Sequence, residues 1–453
     1  MKLLSRQWVQ EPFRPERVLQ FGTGVLLRGL PDYFIDKANR AGLFNGSIAV
    51  VKSTAAGGTD AFARQDNLYT LHIKGLERKK KVQDVRVIAA ISRVIHAADS
   101  WSAVLDVARD PAVETVISNT TEVGIVHDVN DDPLASPPVS FPGKLTAVLY
   151  ERFRAFGGAD DRGMVVLPTE LIDKNGEVLR DIVIALAERA GLESGFVAWV
   201  RNSCLFCNTL VDRIVPGSLS AADRNQAERE LGYRDELAIM AEPYCLWAIE
   251  ASHPRVAQVL SFAAADPRVV ITPDIEKFKE LKLRLLNGSH TFACGLALLC
   301  GFRTVKEAMA DQVFSAYVRE LMDREIIPTL EVPGMEAAEA TDFADHVIDR
   351  FGNPYLHHQW ESISTNYASK MRMRNLPTLD RFVRRFNRVP ICMALGFAGY
   401  LAWMQSSGVE DALDEWDAEL QAFPEVREAV HRFLNGLKAG PARDFMAGVT
   451  ETL

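Results

Sequence analysis

A chain of 453 residues, 48% hydrophobic and 25% charged, has the composition of a soluble globular protein with apolar content for two or three domains. Its net charge of -9 argues against a phosphate-backbone partner, so nucleic acid is not expected. No segment approaches the roughly 18 uncharged apolar residues of a membrane span, and the N-terminal "MKLLSRQWVQEPFRP" lacks the apolar stretch of a signal peptide, so a cytoplasmic location is expected.

In chain order, "RVLQFGTG" reads as a strand ending in a tight Gly22–Thr23–Gly24 turn, and "VLLRGLPDYFIDKANRAG" as the helix it feeds. "SIAVVKS" is a second strand. The alternating stretches "LYTLHIK" and "KVQDVRVIAA" flank the basic run Arg78 to Lys81, which reads as the solvated tip of a hairpin. "AADSWSAVLDVARD" is helical in period, "ETVISNTTEVG" is a strand with a polar end, "KLTAVLYERFRAFG" is a helix and "GMVVLPTE" a buried strand. This β-α-β rhythm predicts an α/β unit with a parallel, doubly wound sheet covered by helices on both faces. Cys204 and Cys207 form a CxxC without a second pair, so they read as packed core thiols, and no metal site is expected.

From about Pro273 the apolar positions recur at helical spacing, as in "VFSAYVRELMDREIIPTLE", "ALGFAGYLAWMQSS" and "EVREAVHRFLNGLKAG". The second half should be mainly helical. The shift near "ADPRVVITPD" gives expected domains of 1–273, nucleotide-binding, and 274–453, carrying substrate and catalysis.

The glycine turn at the first strand of such a pattern is a candidate phosphate cradle, because Gly22 and Gly24 let a pyrophosphate approach the backbone. The third glycine of GxGxxG is replaced by Leu27. The second strand ends in Lys52 and Ser53 with no carboxylate for ribose hydroxyls. Lys52 could meet a 2′-phosphate or be a strand-end lysine in water, and the choice between NAD and NADP stays open. Asn119, Thr120 and Glu122 follow the strand "ETVIS", at the end that faces the ligand crevice in a parallel sheet.

The stretch "LKLRLLNGSHT", residues 281 to 291, carries Lys282, Asn287 and His290 inside an otherwise apolar helix. In a regular α-helix Lys282 and Asn287 lie about 140° apart and Lys282 and His290 about 80° apart, on one broad face. An amine can take a hydroxyl proton, while an amide and an imidazole can hold a developing alkoxide. The alternative is a surface lysine, an Asn at a helix break and a satisfied core histidine.

K-x4-N-x2-H, with "FGTGVLLRG", "TTEVG", "NTLVDRIVP" and "RFGNP", resembles the mannitol dehydrogenase family of long-chain polyol dehydrogenases over nearly the whole chain. The resemblance implies an N-terminal Rossmann-type domain, a helical C-terminal domain and metal-independent hydride transfer. It implies that Lys282 is the general base, that Asn287 polarises the reacting oxygen with His290 beside it, and that Asp212 lies near the substrate. For Asp212 a salt bridge to Arg213 is the competing reading. Mannitol-type members carry a "CDN" tripeptide where this chain has Thr169-Glu170-Leu171, and "PTELIDKNG" resembles the altronate branch. That branch implies interconversion of D-tagaturonate and D-altronate, a hexuronate pair whose carboxylate needs a cation. Arg350 and Lys370 are the chosen candidates, among His357, His358, Arg372 and Arg374. Rival readings are another sugar-acid or polyol dehydrogenase of the family and a nucleotide-sensing regulator. A monomer or small homo-oligomer is expected.

Overall fold

The computed structural model describes residues 1–54, 58–120, 124–409 and 412–451. The chain forms two compact units. The first is Met1–Lys74 with Gln83–Ile275, and the second is Gly75–Val82 with Glu276–Leu453.

The first unit is built on six parallel strands: β1 (Glu16–Phe21), β2 (Ser47–Lys52), β3 (Ile91–His96), β4 (Thr115–Ser118), β5 (Val165–Pro168) and β6 (Leu205–Phe206). Their order in the sheet is β3-β2-β1-β4-β5-β6. The chain moves outward from β1 to β3, then returns to the other side of β1, which makes the end of β1 a topological switch point. The strands are apolar on both faces because both are covered. Leu19, Phe21, Ala49, Val51 and Val116 pack with helices Trp101–Arg109, Phe141–Ala155 and Asn175–Arg189. The alternate residues Val18, Ile48, Val50 and Ile117 pack with helix Pro31–Arg40 and with Trp247 and Phe262.

The helix expected after the glycine turn is two helices, Val25–Gly29 and Pro31–Arg40. Proline cannot donate into a continuing helix, so the break falls at Leu30 and Pro31 opens the second segment. Strands Tyr69–Glu77 and Lys80–Ile88 turn at Arg78 and Lys79, both at positive φ, and the side chains of the basic run are exposed. Cys204 and Cys207 are buried, and burial pushes both thiols up to about 12.

The second unit is mainly helical. Helix Ile391–Ser406 is apolar on nearly every side and is buried by its neighbours, Ser289–Leu299 and Pro424–Ala439. Backbones meet where the side chains vanish: a Cβ on Gly295 would sit 2.4 Å from the Gly399 carbonyl oxygen. Within this unit the hairpin tip is fixed by the Lys79 N–H, which donates to Asp349 Oδ1 at 3.0 Å. No described helix is long and apolar enough to cross a membrane.

Candidate active site

In the first unit, strand register builds a cavity. Phe21 pairs with Val51 on one side and Ser118 on the other, so Gly22, Lys52 and Asn119 emerge side by side. With Thr23, Gly24, Ser53, Thr54 and Thr120 they line a cavity of about 720 Å³ at the switch point, in the size range of small-molecule sites. Glu122 lies outside the described residues.

The two glycines serve different purposes. Gly22 has φ +125°, and a Cβ there would lie 2.9 Å from Leu27 Cδ1 and 3.0 Å from the Asn119 carbonyl oxygen. The fold itself therefore requires glycine at this position. Leu27, in the place of the missing third glycine, packs against it. Gly24 has ordinary extended backbone (φ -63°, ψ 156°), and among the described residues nothing lies within 4 Å of a Cβ built on it. Its bareness serves open space in the cavity, as a group approaching the backbone would need. These features fit a dinucleotide.

Lys52 is not a lysine in water. It is only 6% exposed, and its ammonium donates to the Thr54 carbonyl and, at 3.2 Å, to Thr54 Oγ1. The Ser53 hydroxyl beside it is buried with no hydrogen-bond partner among the described residues.

Glu170 is a residue whose part the sequence did not reveal. Its buried carboxylate accepts from Ser118 Oγ at 3.1 Å, Thr120 N at 2.9 Å and Thr120 Oγ1 at 3.0 Å. Burial raises its pKa, and these bonds counter the rise. The preceding Thr169 receives the Asn119 amide at 3.0 Å. The "TE" of "PTEL" thus shapes the end of β4, while Leu171 is 65% exposed. Asp212, also of the first unit, is buried at the end of strand Thr209–Asp212. Arg213 does not take it as a partner. Its guanidinium donates to the carbonyls of Glu242 at 2.9 Å and Gly29 at 2.6 Å.

In the second unit, Leu281–Gly288 is a π-helix, bonded i→i+5, and Ser289–Leu299 continues as α-helix. The regular α-helical angles expected for this stretch do not apply. With more residues per turn, Asn287 comes back closer to the face of Lys282 than α-helical angles would place it. The wide turn is held from outside. Arg284 Nη1 donates to the Arg374 carbonyl at 2.8 Å, and Asn375 Nδ2 to the Gly288 carbonyl at 3.2 Å, tying it to a second π-helix, Met371–Asn375.

Lys282 and Asn287 are half-buried. The Asn287 carbonyl accepts from Thr291 Oγ1 at 2.7 Å, while its side-chain amide has no hydrogen-bond partner among the described residues. His290 is buried and stacked on Phe351, with His358 and Trp360 edge-on, and its Nε2 is buried without a partner among the described residues. Burial, then His358, Arg350 and Arg374, hold its pKa well below the ordinary histidine value, so the ring is neutral near pH 7. A neutral imidazole offers one donor and one acceptor. His290 is not the satisfied core histidine of the competing reading.

Arg350 is buried at the end of helix Ala337–Phe351. Lys370 donates to the Ile363 carbonyl at 2.8 Å, and burial, then Arg374, lower its pKa. Both charges reach His290 electrostatically. Among the described residues no cluster of three or more His, Cys, Asp or Glu is placed to hold a metal.

A sheet in this order with a nucleotide-sized cavity at its switch point, followed by a helical unit bearing a lysine, an uncommitted amide and a neutral imidazole, is the build of a two-domain dehydrogenase. Two family descriptions match in succession: the mannitol dehydrogenase Rossmann domain over residues 16–259 and the mannitol dehydrogenase C-terminal domain over 274–435. The chain belongs to the mannitol dehydrogenase family. It is 39% identical over 412 residues to an altronate oxidoreductase of Bacillus subtilis, covering 91% of this chain and 84% of that one. An altronate oxidoreductase of Pectobacterium atrosepticum is 38% identical over 419 residues, covering 92% and 85%. Among solved structures, the Pseudomonas fluorescens mannitol 2-dehydrogenase ternary complex with NAD and D-mannitol matches with a TM-score of 0.71 at 25% identity, covering 100% of both chains.

Proposed function

We propose that this protein interconverts D-tagaturonate and D-altronate by hydride transfer with a nicotinamide cofactor. The observation that carries the reading is its relation, over about nine-tenths of its length, to proteins named altronate oxidoreductase. The geometry supplies the chemistry such a reaction needs.

The cofactor, when bound, supplies or accepts the hydride. Gly22 and Gly24 would let its pyrophosphate approach the backbone, and Asn119 and Thr120 would line its ribose. Glu122 remains a candidate of the same set. Lys52 stands where the adenosine ribose of such a cofactor would lie. The resemblance and the NAD complex of the mannitol dehydrogenase favour NAD. The buried ammonium of Lys52 would accept a 2′-phosphate and so favour NADP.

In oxidation, the neutral amine of Lys282 takes the hydroxyl proton as hydride leaves the carbon. In reduction, its ammonium returns that proton to the carbonyl oxygen. Asn287 donates its uncommitted amide to the oxygen on which charge develops. Neutral His290 adds a second polar contact without adding charge. Asp212 binds a substrate hydroxyl. Proton transfer and oxyanion stabilisation then come from side chains, with no metal ion. Arg350 and Lys370 bring positive charge to the part of the site that takes the substrate carboxylate.

The test is loss of NADH absorbance on adding D-tagaturonate, repeated with NADPH and against D-fructuronate and D-fructose. Tagaturonate should give the highest kcat/KM. Preferred turnover of another member of the panel would replace this substrate assignment, and no turnover of any would favour a nucleotide-sensing role.

A further inference from the structure

We propose that Arg374, flanked by Lys370 and His358, is the specificity-determining cation of an anion subsite that admits carboxylated substrates in preference to their uncharged counterparts. The inference rests on the sugar-acid reading above and names the group that makes the choice.

Several cations of the second unit are paired with carboxylates. Arg372 donates to Glu419 at 2.7 Å, Arg381 to Glu280 at 2.6 Å and Arg385 to Glu331 at 2.8 Å. Arg374 is different. It is half-buried, and among the described residues its side chain makes one hydrogen bond, from Nη1 to Thr291 Oγ1 at 3.2 Å. Lys370 gives its bond to a carbonyl. Among the described residues none of Arg374, Lys370 and His358 has an acidic partner.

The groups also repel one another. Burial and then Arg374 lower the Lys370 pKa, and burial, then Lys370 and Arg350, lower that of His358. Partly desolvated positive charges without a counter-ion are costly, and an arriving anion removes that cost. Guanidinium is the cation best shaped for carboxylate, since its planar fork offers two parallel N–H donors. Four of its five N–H groups have no partner among the described residues.

Position supports the assignment. Arg374 donates to Thr291 Oγ1, which donates to the Asn287 carbonyl at 2.7 Å. One short chain of bonds thus links the guanidinium to the residue that would hold the reacting oxygen. A sugar acid carries its reacting carbon and its carboxylate on one chain, so its site needs this combination of a neutral donor and a nearby but separate cation.

The test compares D-altronate with uncharged D-altritol by titration calorimetry, with NADH present, on the unaltered protein, Arg374→Gln and Arg374→Lys. The unaltered protein should prefer altronate. Arg374→Gln should weaken altronate binding about 10- to 100-fold and leave altritol binding nearly unchanged. Arg374→Lys, which keeps the charge, should recover part of the loss. No preference in the unaltered protein, or equal weakening of both ligands by Arg374→Gln, overturns the proposal. NADH affinity and melting temperature, measured alongside, detect a misfolded variant, and the Lys replacement then carries the comparison. If the unaltered protein fails to oxidise altronate yet prefers it through Arg374, the activity reading falls and the subsite stands. Turnover of altronate that Arg374→Gln leaves intact is the reverse result.

Discussion

The His290 ring lies flat on the Phe351 ring, with centroids 3.9 Å apart and planes inclined by 9°. That face-to-face contact keeps water from one side of an imidazole already crowded by cations, and so holds it neutral. Phe351→Leu uncovers the ring. His290 should then titrate closer to the ordinary value of 6.5, and turnover of the variant should fall more steeply than that of the parent below pH 7, as an added positive charge enters the site. NMR titration of the histidine ring checks this. An unshifted His290 in the variant would mean that the surrounding cations alone set its charge.

Lys282→Ala removes the group assigned to the proton. Turnover should fall by about 10²- to 10⁴-fold, the usual span for loss of a general acid–base group. NADH affinity should not change, since the residues lining the nucleotide cavity belong to the first unit. Initial rates paired with fluorescence titration separate the two effects. Full turnover in the variant would refute the mechanism.

Alanine at the two glycines should give opposite results. Gly22→Ala forces a Cβ into a φ of +125° and to within 2.9 Å of Leu27. It should destabilise the first unit by at least about 1 kcal/mol, seen as a lower melting temperature without ligand. Gly24→Ala meets no protein atom within 4 Å. It should melt like the parent and bind NADH more weakly. Unchanged NADH affinity in a folded Gly24→Ala protein would move the pyrophosphate away from this turn.

Glu170→Gln keeps the side-chain shape but turns one acceptor into a donor facing Ser118 or Thr120. The end of β4 should loosen. The expected result is roughly tenfold weaker NADH binding, the equivalent of one hydrogen bond of about 1.4 kcal/mol, with kcat at saturating cofactor changed little. Equilibrium dialysis against NADH, with kcat measured in parallel, decides it.

Glu325 gives a pH dependence of stability. Buried, it accepts from the Cys392 N–H at 2.8 Å and the Met393 N–H at 2.7 Å at the start of helix Ile391–Ser406. Burial raises its pKa from 4.5 to about 7, against the pull of those bonds. The folded chain therefore holds the Glu325 proton more tightly than the unfolded chain. This favours folding fully below pH 4.5 and is lost as pH rises through 7. Glu325→Gln should flatten that part of the stability curve in urea melts between pH 4.5 and 7. An unaltered slope would assign the dependence to other groups.

The local sequence carried the doubly wound sheet, the helical second half and the glycine turn, because period and turn chemistry are encoded between near neighbours, whereas the roles proposed for Lys282, Asn287 and His290 rest on a resemblance that spans the chain. The break at Leu30 was also local in cause, since Pro31 stood in view. Other features had no local signature. The π-helical turn that brings Asn287 toward the face of Lys282 is held by Arg284 and Asn375 between segments about 90 residues apart. Glu170 acquires its part from Ser118 and Thr120, about 50 residues earlier. The sequence also could not separate a spent cation such as Arg372 from an uncommitted one such as Arg374, two positions on. Which charges find partners depends on long-range packing, and only the tertiary structure decides it.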